Sequence, residues 1–224
     1  MRDFLAGLNH SFSPVISFND PTDYIHIDLS TSNRSFYSLD MDDTLSVEEY
    51  IVDYLKKNSG KVAYGGYLEK RDLYKRSTYF NDPDINSLDR NIHLGIDFWC
   101  PENTPVCAPI EGKVHSFNNN RNYGDYGPTI ILEHTISKTT FYTLYGHLQT
   151  EDLDQIKRGT LIGKGKHFAH VGASSVNGNY APHLHFQIIM DIEGCQGDYP
   201  GVCSEEKLYF YSMNCPDPNL LIGL

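Results

Sequence analysis

Apolar and polar residues alternate in short runs through the middle of the chain. Thr129-Ile130-Ile131-Leu132-Glu133 and Thr140-Phe141-Tyr142-Thr143-Leu144 have the two-residue period of half-buried strands. Gly, Asn and Pro clusters separate such runs. Asn118-Asn119-Asn120 and Gly124-Asp125-Tyr126-Gly127-Pro128 read as the two ends of a long hairpin. A short helix is predicted over Glu151 to Lys157, closed by Gly159. Upstream the period changes. Val47, Tyr50, Ile51, Tyr54 and Leu55 recur at helical spacing, and Ser46-Val47-Glu48-Glu49 reads as a capping box at the start. Lys56 and Lys57 suit the negative end of the helix dipole, and Gly60 stops the helix. Tyr64-Gly65-Gly66-Tyr67 marks a turn, and Arg71, Lys75 and Arg76 read as a solvated basic face.

These patterns divide the chain into three stretches. Residues 1–87 form an N-terminal appendage with one amphipathic helix, 88–192 a β-rich core, and 193–224 an extended, cysteine-bearing tail packed on that core. The expected fold class is mainly β: an antiparallel barrel-sandwich sheet with a groove, plus the partly helical appendage. Sixteen Tyr and eleven Phe in a glycine-rich chain agree with short strands joined by turns.

Composition narrows the function. The chain has 224 residues, enough to bury a core without disulfides, and 18 basic against 29 acidic side chains leave a net charge of −11. That charge repels phosphate backbones, so nonspecific nucleic-acid binding is not expected. No apolar run approaches the roughly 20 residues of a membrane span. Met1-Arg2-Asp3-Phe4-Leu5 lacks the pattern of a secretory signal, so the expectation is a cytoplasmic chain unless a leader has been removed. Cys100, Cys107, Cys195, Cys203 and Cys215 are read as reduced thiols. Cys195, Cys203 and Cys215 are crowded, but without a C-x-x-C pair a second metal site is not favoured.

The ten histidines carry the chemistry. In His183-Leu184-His185, strand residues i and i+2 point to one face about 7 Å apart, while Leu184 and Phe186 turn to a core. In His93-Leu94-Gly95-Ile96-Asp97, a straight strand would hold the end residues about 13 Å apart. Gly95 permits a turn or bulge that brings imidazole and carboxylate together. His147 follows the strand that ends near Leu144. Two His and one Asp can supply three ligands to a tetrahedral zinc with one position open, and two spare histidines could move protons beside it. Taken singly, each of these histidines has a plainer surface or hydrogen-bonding reading. The joint pattern is what metal-assisted hydrolysis needs.

The order H-x-G-x-D, Y-G-H-L, P-H-L-H-F resembles the lysostaphin-type zinc metallopeptidases, which cut peptide cross-links of bacterial cell walls. Thr104-Pro105-Val106-Cys107-Ala108-Pro109, Glu111-Gly112-Lys113-Val114, Gly159-Thr160-Leu161-Ile162-Gly163 and Val171-Gly172-Ala173-Ser174 extend the likeness, which covers about Asn91 to Ile192. The resemblance implies a duplicated hybrid motif fold and one Zn2+ ion on His93, Asp97 and His185. It implies His147 and His183 as the catalytic pair, and a peptidoglycan peptide or another peptide or amide as substrate. His115, His134, His167 and His170 match no family position and are read as solvated or structural.

Other readings stay open. Tyr64-Gly65-Gly66-Tyr67 and Asn214-Cys215-Pro216-Asp217-Pro218-Asn219 resemble peptidase-like modules found in fusions with aminotransferase-type domains, which implies a non-wall intracellular amide. A non-catalytic peptidoglycan-binding or activator module would not need metal. A lipoyl-like carrier has the strand-and-glycine rhythm, but the chain has no D-K-A or M-K-M hairpin tip.

Overall fold

The computed structural model describes residues 12–17, 20–77 and 90–224. Met1 to Leu5 and the boundary expected between residues 87 and 88 lie outside the described residues. The chain is mainly β, built on one large, largely antiparallel sheet. Its strands are β1 (Tyr24–His26), β2 (Val62–Gly65), β4 (Ile96–Trp99), β6 (Gly112–Asn120), β7 (Gly127–Ile136), β8 (Thr139–Gly146), β9 (Leu161–Ile162) and β11 (His183–Ile189). Among the described residues they lie in the order β1-β2-β4-β11-β8-β7-β6-β9, with only the β1–β2 pair parallel. The short strands β3 (Ile92–His93) and β12 (Val202–Cys203) pair with each other, as do β5 (Pro105–Cys107) and β10 (His167–His170).

The expected hairpin is present: β6 and β7 pair from Lys113 opposite Glu133 to Asn120 opposite Gly127. The turn expected at Tyr64 to Tyr67 instead starts as strand. Ala63, Tyr64 and Gly65 pair with Trp99, Phe98 and Asp97, so this part of the N-terminal stretch extends the sheet directly beside β4.

The helix α1 spans Thr44–Lys57, earlier than the capping box suggested. Asp43 is the N-cap, accepting from the Leu45 amide at 3.1 Å, and Ser46 lies inside the first turn and donates its hydroxyl to Asp43. A carboxylate three residues upstream offers the orphan amides a charged acceptor, and so takes the position the serine would otherwise fill. Val47 and Ile51 are buried against Ile27, Leu29, Phe36, Ala63, Trp99 and Ala181. A second helix, α2, covers Thr150–Gln155. The tail does not run extended throughout, since Leu208–Asn214 (α3) and Asn219–Ile222 (α4) are helical.

Both faces of the sheet are buried, and the two-residue period assigns each a job. From β4, Ile96 and Phe98 enter one apolar cluster together with Leu184, Phe186 and Ile188 of β11, Val114, Ile130, Leu132 and Tyr145. The alternate residues Asp97, Trp99, His183, His185 and Gln187 face the other way. That second face is covered by the tail, through Tyr199, Cys203 and Cys215, and by the α1 layer. Polar side chains thus sit buried on this strand pair, between the two layers that cover the sheet. Among the described residues no helix is long and apolar enough to cross a membrane.

Candidate metal centre

Asp97 and His185 stand opposite each other on β4 and β11, and His183 stands opposite Trp99 two residues along. His93 reaches the same point because the chain bends at Leu94-Gly95 between β3 and β4. A Cβ on Gly95 would lie 2.7 Å from the His185 ring and from the Phe186 carbonyl, so only glycine fits beneath that imidazole. His93, Asp97 and His185 are buried and form a group with metal-ligand spacing, one ligand atom of each lying within 4.8 Å of the others. His93 Nε2 is 2.9 Å from His185 Nδ1, and Asp97 Oδ1 is 3.2 Å from each of these nitrogens. Tetrahedral ligands about 2.0–2.1 Å from zinc stand about 3.3 Å from one another. The donor set therefore fits such an ion in chemistry and in size.

Outer partners fix these ligands. The His93 Nδ1–H donates to the Gly66 carbonyl at 3.0 Å, leaving Nε2 with its lone pair toward the cluster. The His185 Nε2–H donates to Gln187 Oε1 at 2.9 Å, leaving Nδ1. Asp97 Oδ2 accepts from Arg71 Nη1 at 2.5 Å, so Oδ1 is the oxygen presented. Arg71 is 1% exposed, which overturns the reading of this residue as part of a solvated basic face. A buried guanidinium is tolerated only when paired, and here Glu69 and Asp97 flank it. Burial holds the His93 imidazole down at about 4, against the pull of Asp97. Burial works against ionisation of Asp97, yet His93 and Arg71 hold its carboxyl well below the usual range. His93 and Asp97 are thus in metal-binding protonation states at neutral pH.

His147 and His183 stand at the edge of this cluster, ring centroids 4.2 Å apart. His147 follows β8 in the left-handed region, φ 62°, and its Nδ1–H donates to the Asn177 carbonyl at 2.8 Å. His183 Nδ1–H donates to the Ala181 carbonyl at 2.8 Å, and its Nε2 is 4.0 Å from Asp97 Oδ1. Each ring keeps a free Nε2. Burial lowers both, His183 to about 4 and His147 well below the ordinary value, so both are neutral at pH 7. A cavity of about 150 Å³ opens on the cluster, lined by His93, His147, His185, Tyr126, Tyr180 and the tail residues Asp198 to Val202.

The structure thus brings together all five residues singled out in the sequence. Among the described residues the other histidines lie elsewhere. His134 is buried between the Glu111 carbonyl and Thr143 Oγ1, His170 pairs with Asp152, and His115 bonds Ser116. All five cysteines are free, with Cys215 Sγ accepting from Gln187 Nε2 at 3.2 Å. Gln187 and Arg71 were missed as outer partners. Gln187 shares the two-residue period of His183 and His185, a signal that could have found it. Arg71 has no local signal.

Residues 91–196 match the family model described as Peptidase family M23. This segment, just under half of the chain, is similar to peptidase family M23. Over 151 residues the chain is 28% identical to the peptidoglycan DD-endopeptidase ShyC of Vibrio cholerae, covering 66% of this chain and 32% of that protein. Over 98 residues it is 32% identical to the DD-carboxypeptidase/endopeptidase Mpg of Neisseria meningitidis, covering 43% of this chain and 20% of that protein. The chain therefore spans about a third or less of the length of these curated relatives. A zinc-containing peptidase from Vibrio cholerae, known from its crystal structure, aligns with a TM-score of 0.36 and 28% identity, covering 49% of this chain and 30% of that one. Arg71, Glu69 and Gly66 lie outside the M23 match, so the centre is completed by the N-terminal stretch.

Proposed function

We propose that the chain is a zinc-dependent endopeptidase that hydrolyses an amide bond in peptidoglycan cross-links or stem peptides. The observation that carries this reading is the convergence of His93, Asp97 and His185 on one point, with His147 and His183 beside it. A zinc ion held by the first three would supply Lewis acidity toward the scissile carbonyl and lower the pKa of its water to about 7. The protein's own part is proton transfer and positioning. With Nδ1–H committed to Asn177 and Ala181, both His147 and His183 present Nε2 to the substrate side. One of the pair takes a proton from the attacking water. The pair then stabilises the oxyanion and returns a proton to the leaving amine. Tyr126 and Tyr180 pack against His147 and shield it from bulk solvent.

The narrow cavity, walled by Asp198 to Val202, favours a second reading in which a short peptide or a non-wall amide is the substrate. Mass spectrometry of products from zinc-loaded protein with purified peptidoglycan, and separately with short peptides, tests both, with His147→Ala as control. Soluble muropeptides absent from the control support wall cleavage. Cleavage of short peptides alone supports the second reading, and no cleavage of either by zinc-bearing protein would leave a binding role.

A further inference from the structure

We infer that Arg71 is a positioning residue of the metal centre, pinning one oxygen of Asp97 so that the other alone faces His93 and His185. The inference rests on the metal reading above and concerns a residue outside the M23 match.

The arrangement is a chain of anchors running out of the site. Arg71 Nη1 holds Asp97 Oδ2 at 2.5 Å, and Arg71 Nε holds Glu69 Oε2 at 2.5 Å. Glu69 Oε1 accepts in turn from the Leu29 amide at 3.0 Å. The backbone is tied as firmly. Arg71 N donates to the Asn91 carbonyl, His93 N to the Glu69 carbonyl, and Leu68 N to the His93 carbonyl. The same short segment therefore carries the guanidinium for Asp97 and, at Gly66, the carbonyl for His93. Gly66 has φ 108°, and a Cβ there would lie 2.1 Å from Arg71 Nη2, so the close approach depends on glycine.

Geometry explains why the residue is arginine. The planar fork bonds two carboxylates from different nitrogens at once, which a single ammonium cannot do in the same directions. Its charge also bears on the site. Glu69, Asp97 and Arg71 sum to −1, so a divalent cation on the neutral imidazoles and Asp97 would leave a local charge of +1. Without Arg71, Asp97 would be free to turn both oxygens toward the cation and occupy the position that hydrolysis needs open.

The test is chelator-competition titration of zinc, together with visible spectra of the cobalt-substituted full-length protein, for wild type, Arg71→Met, Arg71→Lys and Glu69→Gln. Arg71→Met is expected to weaken zinc binding by about 10- to 100-fold and to shift the cobalt bands as the second Asp97 oxygen enters the coordination shell. Arg71→Lys should recover part of the affinity. A folded Arg71→Met protein with zinc affinity within about twofold of wild type and an unchanged cobalt spectrum would overturn the inference. Should Arg71→Met not fold, Glu69→Gln keeps the guanidinium but loosens its far end. It is expected to weaken zinc several-fold, and unchanged affinity and spectrum there would overturn the inference equally. Wild-type protein that fails to bind zinc would defeat the metal reading itself, an outcome distinct from equal binding by wild type and variants.

Discussion

Trp99 lies flat against His183, ring centroids 4.1 Å apart and planes 21° from parallel. The two are cross-strand partners on β4 and β11, and the His147 ring also packs against His183, centroids 4.2 Å apart. With Nδ1 tethered to Ala181, the indole removes the remaining freedom of the imidazole. Trp99→Leu should keep zinc but lower kcat about tenfold, equivalent to about 1.4 kcal/mol in the barrier. Trp99→Phe, which preserves a stacking surface, should stay close to wild type. Because Trp99 is fully buried, the leucine variant should also lose about 2 kcal/mol of stability in urea melts. Full kcat in a folded Trp99→Leu protein would refute the positioning role.

Gln187 works on the ligand side. Its amide cannot turn over, because Nε2 donates to the Pro200 carbonyl at 3.1 Å and to Cys215 Sγ, leaving Oε1 for His185. Two tail residues thereby set which nitrogen of a candidate ligand is free. Gln187→Leu should weaken zinc about 10- to 100-fold in chelator competition, with His185 no longer held to one tautomer. Unchanged zinc affinity would show that the strand alone suffices.

What was legible in the sequence is what local spacing encodes. His183 and His185 share a face because strands have a period of two, and Gly95 marks the bend that returns Asp97 toward His93. The partners that complete the site are distant in sequence, and no spacing rule reaches them. Arg71 sits near Lys75 and Arg76 and looks solvated. It is buried because the strand beside β4 brings it to Asp97, 26 residues away. The cap of α1 shows the same limit at short range. Ser46 and Glu49 fit a capping box, but Asp43 outcompetes them.

His134 provides a pH test away from the candidate centre. Burial lowers it from 6.5 to about 4, while an unfolded chain binds its proton near 6.5. Below pH 6.5 the unfolded state therefore takes up a proton that the folded state refuses, and stability falls as pH drops toward 4. The full effect is about 3 kcal/mol. His93, His147 and His183 slope the same way in metal-free protein, so the informative quantity is wild type minus His134→Gln. Urea melts of metal-free protein between pH 7 and about 4.5 should show a shallower acid loss for the variant, by about 2 kcal/mol. Identical pH slopes would contradict the assignment of His134 as a buried neutral group.

The most direct test of the account is the metal content of purified wild type, His185→Ala and His147→Ala after zinc loading and desalting. The account predicts one zinc per chain in wild type and in His147→Ala, little or none in His185→Ala, and turnover in wild type alone. Full zinc in His185→Ala, or its loss from His147→Ala, would contradict the division of these histidines into ligand and catalyst.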